Sequence, residues 1–188
     1  MKAVFLHGVM LAAAASMAGC AALPFVRGPA AGVDVARFHL NQPVAKARIA
    51  VEPAEAADRN DPEFLGYQAA VARQLVRHGW TVVPTTAQSE QIALIDVEQG
   101  GRAALAQRST IGGGARIGAG SGSPDLVTTL LEVSIRRRSD ATVFWEGRAD
   151  IEGHAGSAGA NRTAAVERLA EALFRDFPGE SGRTIRLP

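Results

Sequence analysis

Cys20 is the residue whose chemistry is most constrained by its neighbours: it is the only cysteine of the 188-residue chain and directly follows Met17-Ala18-Gly19. One thiol cannot close a disulfide within the chain or build a cysteine-rich metal site, which leaves a buried thiol, a nucleophile or a point of covalent attachment. Four other sets of side chains have types suited to chemistry. Glu132, Glu146, Asp150 and Glu152 recur at strand-like spacing, and carboxylates opposed on a strand pair can perform acid–base steps when a cleft desolvates one of them. Arg148 stands among them as an ordinary charge partner, so the expectation is a solvated sheet face. His39, His78 and His154 fall on different predicted elements without ligand spacing, and no metal site is expected. Gly120-Ser121-Gly122-Ser123 lacks the outer glycine spacing and the strand-to-helix setting of a nucleophile elbow, so no catalytic residue is assigned. Arg136-Arg137-Arg138 ends a predicted strand and is expected to form a hydrated tip. The sharper alternative is contact with phosphate, lipopolysaccharide or an acidic partner, which guanidinium groups bind bidentately.

Cys20 closes an apolar leader. Lys2 supplies a positive charge, and Phe5, Leu6 and Val9 to Ala15 an apolar stretch. This segment is too short, and too interrupted by His7 and Gly8, for a transmembrane helix. Ala18 and Gly19 permit the extended backbone that a peptidase needs. The run Met17-Ala18-Gly19-Cys20 resembles the bacterial lipobox, with Met17 where leucine is commonest. The resemblance implies a diacylglycerol thioether on Cys20, removal of residues 1–19 as a signal peptide, and acylation, as by palmitate, of the new amine. The rival is plain secretory cleavage near Ala18 to Ala22, which gives a soluble periplasmic protein. Each buried methylene contributes about 0.8 kcal/mol, and two acyl chains suffice for stable anchoring. Ala21, not Asp, follows the cysteine, so the expected address is the inner leaflet of the outer membrane, facing the periplasm.

Behind this anchor the chain must supply elements that position the other residues. Residues 20–32 (CAALPFVRGPAAG) have no period and read as a lipidated cysteine and tether. Val33 to Leu40 alternates as a half-buried strand, and Arg48 to Glu52 is a second one, ended by Pro53. Asp61-Pro62-Glu63 is a helix start, with Leu65, Ala69, Ala72 and Val76 on one stripe widened by Val71 and Leu75, and His78-Gly79 at its end. Trp80 to Val83 and Ile92 to Val97 are strands, the latter apolar enough to be central. A Gly-rich loop is expected over about residues 100–123. It has neither the Lys-Ser/Thr of a phosphate cradle nor a dinucleotide fingerprint, so no nucleotide cofactor is expected. Val127, Leu131, Val133 and Ile135 alternate with polar residues, as do Val143, Trp145, Gly147, Ala149 and Ile151. These two runs make an antiparallel hairpin in which an even offset, such as Ile135 opposite Val143 and Val133 opposite Trp145, keeps both apolar sets on one face. Trp145 is then the main anchor of the core. Asn161 caps a last helix bearing Val166, Leu169, Leu173 and Phe177, ended by Pro178-Gly179, and Thr184 to Leu187 forms an edge strand.

Composition narrows the function classes. The formal net charge is +1, and Lys2 belongs to the leader, so the remainder is neutral and exerts no global pull on nucleic acid or anionic membrane. Hydrophobic residues make up 47% but aromatics only 5%, which calls for small-residue packing around a few large anchors. Lysine occurs only at Lys2 and Lys46, and the arginine excess reads as genome bias.

Several of these patterns together resemble an uncharacterised bacterial lipoprotein family, domain of unknown function 4136. They are the lipobox and tether, the strand ending near Phe38, the helix end Leu75-Val76-Arg77-His78-Gly79-Trp80, the approach Glu90-Gln91-Ile92 into a strand, the Gly-rich middle, the hairpin end Val143-Phe144-Trp145-Glu146-Gly147, and Phe177-Pro178. Ser134 and Arg137 to Asp140 stand where that family has acidic strand residues and a Thr-Gly turn. The resemblance implies an α+β domain at the envelope with no assigned reaction. The expected fold is one α+β domain over residues 33–188, a mostly antiparallel sheet with two helices on one face. The expected function is a membrane-anchored, non-enzymatic binding or assembly module whose partner is another envelope protein or polymer and not nucleic acid. An envelope hydrolase using the acidic sheet face, and a carrier of a small ligand or lipid, are the alternatives.

Overall fold

A computed structural model of the chain describes residues 32–108, 125–157 and 160–188. The signal peptide, the lipobox residues Met17, Ala18 and Gly19, Cys20, the tether up to residue 31 and the Gly-rich stretch from 109 to 124 lie outside the described residues. The elements follow in the order β1 (Val33–His39), β2 (Arg48–Pro53), α1 (Pro62–Arg77), β3 (Thr81–Val82), β4 (Gln91–Gly100), α2 (Arg102–Arg108), β5 (Leu126–Arg137), β6 (Val143–His154), α3 (Arg162–Phe174) and β7 (Thr184–Leu187). The strands form one seven-stranded sheet in the order β3-β2-β4-β5-β6-β1-β7. The fold class is α+β as expected, with the sheet mostly antiparallel. β2 is parallel to both β3 and β4, because α1 carries the chain back across the sheet between β2 and β3.

Strand alternation sorts the side chains. Val33, Val35, Ala93, Ile95, Leu131, Val133, Ile135, Trp145 and Ala149 are buried under α1 and α3. Asp61 caps α1 by accepting from the backbone N–H of Glu63 at 2.8 Å, and Asn161 caps α3 by accepting from that of Ala164 at 2.9 Å. Gly79 follows α1 with φ +94°, the left-handed turn that glycine allows.

Four expectations are corrected. The buried stripe of α1 is Phe64, Tyr67, Ala70, Val71, Gln74 and Leu75, while Leu65 and Val76 are 63% and 57% exposed. Two apolar stripes one residue apart differ by about 100° of rotation, and the one carrying aromatic rings buries more surface. In the β5–β6 hairpin Ile135 faces Trp145 and Val133 faces Gly147, two residues from the expected offset, and a one-residue irregularity between Ile135 and Arg136 then brings Arg136 opposite Val143. The even offset preserves the apolar face, and Trp145 is fully buried as its anchor. Part of the expected Gly-rich loop is helical, since α2 occupies residues 102–108 and packs Leu105 on Leu130, on the sheet face away from α1 and α3. Finally, α3 stops at Phe174, before Pro178-Gly179. Arg37 on β1, only 3% exposed, takes its last carbonyls: Nε donates to Leu173 O at 2.8 Å and Nη2 to Ala172 O at 2.9 Å and Arg175 O at 3.0 Å. A cation suits the negative end of a helix, and these bonds satisfy acceptors the helix itself cannot.

Candidate functional site

The acidic residues singled out in the sequence do share one sheet face, opposite the two large helices. Glu132 faces Arg148 in the register of β5 and β6, and Asp34 faces Asp150 between β1 and β6. The face is not solvated at its centre, which corrects the expectation: Glu132 is 5% exposed, and Arg148 and Asp150 are 3% exposed. The cover is α2. Arg102 at its start reaches Asp150 Oδ2 at 3.0 Å and Glu152 Oε1 at 2.8 Å, with Asp34 Oδ2 at 3.8 Å. Arg108 at its end meets Glu98 at 3.1 Å, and Leu105 sits on Leu130 between these two ties. Burial pushes the Asp150 carboxyl up to about 6, against the pull of Arg102. A carboxyl so shifted has the acidity of a general acid–base group. Here it is in contact with the guanidinium of Arg102, beneath a helix.

Towards the start of β4 the same face opens into a groove of about 260 Å³. Asp96, Glu132, Ser134, Arg136 and Glu146 line it. Burial and the neighbouring Glu98, Asp58 and Glu55 raise the Asp96 carboxyl, and burial raises that of Glu146. No histidine joins this groove. His39 leaves β1 on the opposite face, where Nδ1 accepts from the Asn41 N–H at 3.1 Å and Nε2 lies 3.0 Å from Gly179 O as donor. His78 is the C-cap of α1 beside Phe177, and His154 is exposed at the end of β6. Among the described residues no group of three or more His, Cys, Asp or Glu side chains is placed to hold a metal ion.

A second groove, of about 200 Å³, lies at the end of the sheet where β1 finishes and β2 begins. Those strands are separated by β4, β5 and β6, so the segment Leu40–Ala47 must cross about 19 Å, well within the roughly 26 Å that eight residues can span. The result is a strap over the sheet end. Asn41 adopts φ 55° at its start, Gln91 Nε2 donates to Ala45 O at 2.9 Å, and Lys46 Nζ stands 3.6 Å from the Trp80 ring centre and 4.1 Å from that of Phe177. Burial lowers the Lys46 ammonium to about 8, while the two rings favour its charged form. Leu40, Pro43, Val44 and Phe144 make the groove's apolar walls, with Gln91 and Arg137 at its edge.

The predicted arginine cluster is dispersed. Arg136 lines the outer-face groove, Arg137 pairs with Asp140 at 2.6 Å, and Arg138 Nε donates to Ser89 O at 2.7 Å. Only Arg137 borders the strap groove. Cys20 and its lipobox lie outside the described residues. Sequence reasoning missed Arg37, Arg102 and Lys46. The sole lysine beyond the leader was a visible signal for Lys46; Arg37 and Arg102 carried no local signal, because their partners are up to 138 residues away.

No family model matches this chain. An uncharacterised protein of Zymomonas mobilis is 27% identical in an alignment covering 82% of this chain and 80% of that one. Among solved structures, a PDZ domain protein from Parabacteroides distasonis matches with a TM-score of 0.51 at 9% identity, over 84% of this chain and 39% of that one. PelC from Paraburkholderia phytofirmans, a dodecamer, matches with a TM-score of 0.46 at 12% identity, over 75% of this chain and 94% of its own. The likeness to the PDZ domain protein is one of fold. No helix among the described residues is long and apolar enough to cross a membrane.

Proposed function

We propose that the chain is a lipid-anchored envelope protein, of the kind its resemblance to the domain of unknown function 4136 lipoproteins implies, and that it works by binding rather than by catalysis. Lipid on Cys20 holds it at the membrane, in the inner leaflet of the outer membrane, and the strap groove is its contact surface. The observation that carries this reading is placement. The described chain enters the sheet at Val33, and the strap groove lies at the other end of β1, roughly 20 Å from that entry. Leu40 stands there 78% exposed, an apolar side chain that the domain's own core does not use.

Two experiments test it. Radiolabelled palmitate should enter the wild-type protein and not Cys20→Ala; labelling that survives the substitution removes the anchor. A photo-crosslinking residue at position 40, in intact cells, should give one discrete adduct that the same residue at exposed Arg73 does not give. Identical patterns at both positions remove the contact surface.

A hydrolase remains a second reading because Asp96 and Glu146, both with raised carboxyls, line one groove. It requires purified protein to degrade peptidoglycan or lipid, and Glu146→Gln to abolish that turnover.

A further inference from the structure

We propose that the groove beneath the Leu40–Ala47 strap receives an acidic peptide segment, seating an aliphatic side chain against Leu40, Val44 and Phe144 and a carboxylate on Arg137. This rests on the binding reading of the same groove and gives it a partner chemistry.

The walls select the aliphatic part. A volume of about 200 Å³ between Leu40, Pro43, Val44 and Phe144 matches one or two branched aliphatic side chains. The rim selects the charge. Arg137 is the charged side chain bordering the groove, and Lys46 follows directly on the strap. Arg138 stands next in the chain, its Nε given to the carbonyl of Ser89 and its guanidinium in no ion pair among the described residues. The carboxylate now on Arg137 belongs to Asp140, three residues along the hairpin tip and about half exposed, with its Oδ1 accepting from Thr142 N–H at 3.1 Å. Asp140 therefore stands in for the partner's carboxylate: it presents to Arg137 the group that an incoming acidic residue brings, and an exposed pair of this kind is readily exchanged. The peptide character follows from the pairing of wall and rim, since a polypeptide carries branched aliphatic groups and carboxylates within a few residues of one another, and the strap beside the groove is irregular and mostly exposed.

The test uses the full chain, purified from membranes in neutral detergent, and a displayed library of random twelve-residue peptides. Selection should enrich peptides in which Asp or Glu lies within two or three positions of Leu, Ile or Val. Their affinity should fall about tenfold or more in Arg137→Glu and in Leu40→Asp, and rise about threefold in Asp140→Asn. Leu40 is exposed, so its substitution leaves the core intact, and unchanged thermal melting checks this. No enrichment, enrichment without carboxylates, or binding unaffected by Arg137→Glu overturns the proposal. So does a groove that instead holds phosphatidylglycerol vesicles, or a second copy of the chain by sedimentation, with that binding lost in Leu40→Asp. A discrete crosslink at position 40 without acidic peptides would retain the binding surface and reject this partner.

Discussion

Replacing Gly147 by Ala tests whether the core is organised around Trp145. Gly147 follows Trp145 on the same face of β6 and lies opposite Val133. A Cβ built there meets the indole at its Cη2, stands 3.0 Å from Cζ2, and comes within 2.7 Å of Leu173 Cδ1. Ordinary carbon contacts are about 3.5–4.0 Å, so the ring and the helix must retreat by roughly 0.5–1 Å. Such overpacking costs about 1–3 kcal/mol. Alanine in place of glycine returns about 0.4–1 kcal/mol through the unfolded state, leaving a net loss of about 1–2 kcal/mol. In a chain of this size that lowers Tm by about 2–8 °C. The indole cannot tilt freely, because its Nε1 donates to Pro178 O at 3.1 Å and its face stacks on Phe174 at 5.3 Å. Urea melts of wild type, Gly147→Ala, Trp145→Phe and the double variant measure the effect. The smaller ring should absorb part of the clash, so the double variant should be more stable than the sum of the singles by at least about 0.5 kcal/mol. A neutral Gly147→Ala, or strict additivity, would refute the placement of Trp145.

Two further outcomes are expected. Arg37→Met should destabilise by about 3 kcal/mol or more in denaturant melts, because the carbonyls of Leu173, Ala172 and Arg175 each lose a charged donor, the first two of these bonds being buried, and Arg37→Lys should recover only part of the loss since one ammonium cannot copy the fork; a lysine variant as stable as wild type would contradict this. The Asp150 carboxyl is raised to about 6 in the fold, above its unfolded value near 4, so its protonated form favours folding and its contribution is lost as pH rises from about 4 through 6. Relative to Asp150→Asn, which does not titrate, wild type should therefore lose Tm between pH 4 and pH 7; parallel profiles would show that Asp150 is not desolvated.

The strands, the two large helices and their N-caps were legible because each depends on local period and capping chemistry. Asp61-Pro62 and Asn161 announce helix starts without any tertiary information, and the alternation from Val143 to Ile151 fixes which residues face the core. What was not legible depends on distant partners. The α1 stripe was misplaced by one residue because Leu65 and Phe64 are equally apolar, and only contact with the sheet chooses between them. The helix in residues 102–108 was hidden in a stretch dominated by glycine further on, and its stability comes from Arg102 and Arg108 meeting acids on β4 and β6. The candidate groove was invisible because it is made by a loop stretched across strands that are adjacent in sequence and four places apart in the sheet.

The same contacts change how the charged residues are understood. In the sequence, Glu132, Asp150 and Glu152 looked like either a catalytic pair or a hydrated surface, and the arginines like a consequence of base composition. Burial asks more of them than either. An ionised carboxylate at 3% exposure survives only with a cation in contact, and Arg102 is that cation for Asp150 while also holding Glu152. Removing Asp150 alone would therefore take from Arg102 its most buried partner and leave it to Glu152 and Asp34, and removing Arg102 alone would take the shared cation from carboxylates on two strands. The acids and α2 hold one another, which accounts for desolvated carboxyls without invoking a reaction. At the other end of the sheet the reverse holds. Leu40 is apolar yet exposed, and Arg137 is cationic yet satisfied only by an exposed residue of its own turn. Groups whose present partners cost little to displace are the ones free to bind something else, and in this fold they gather under the strap.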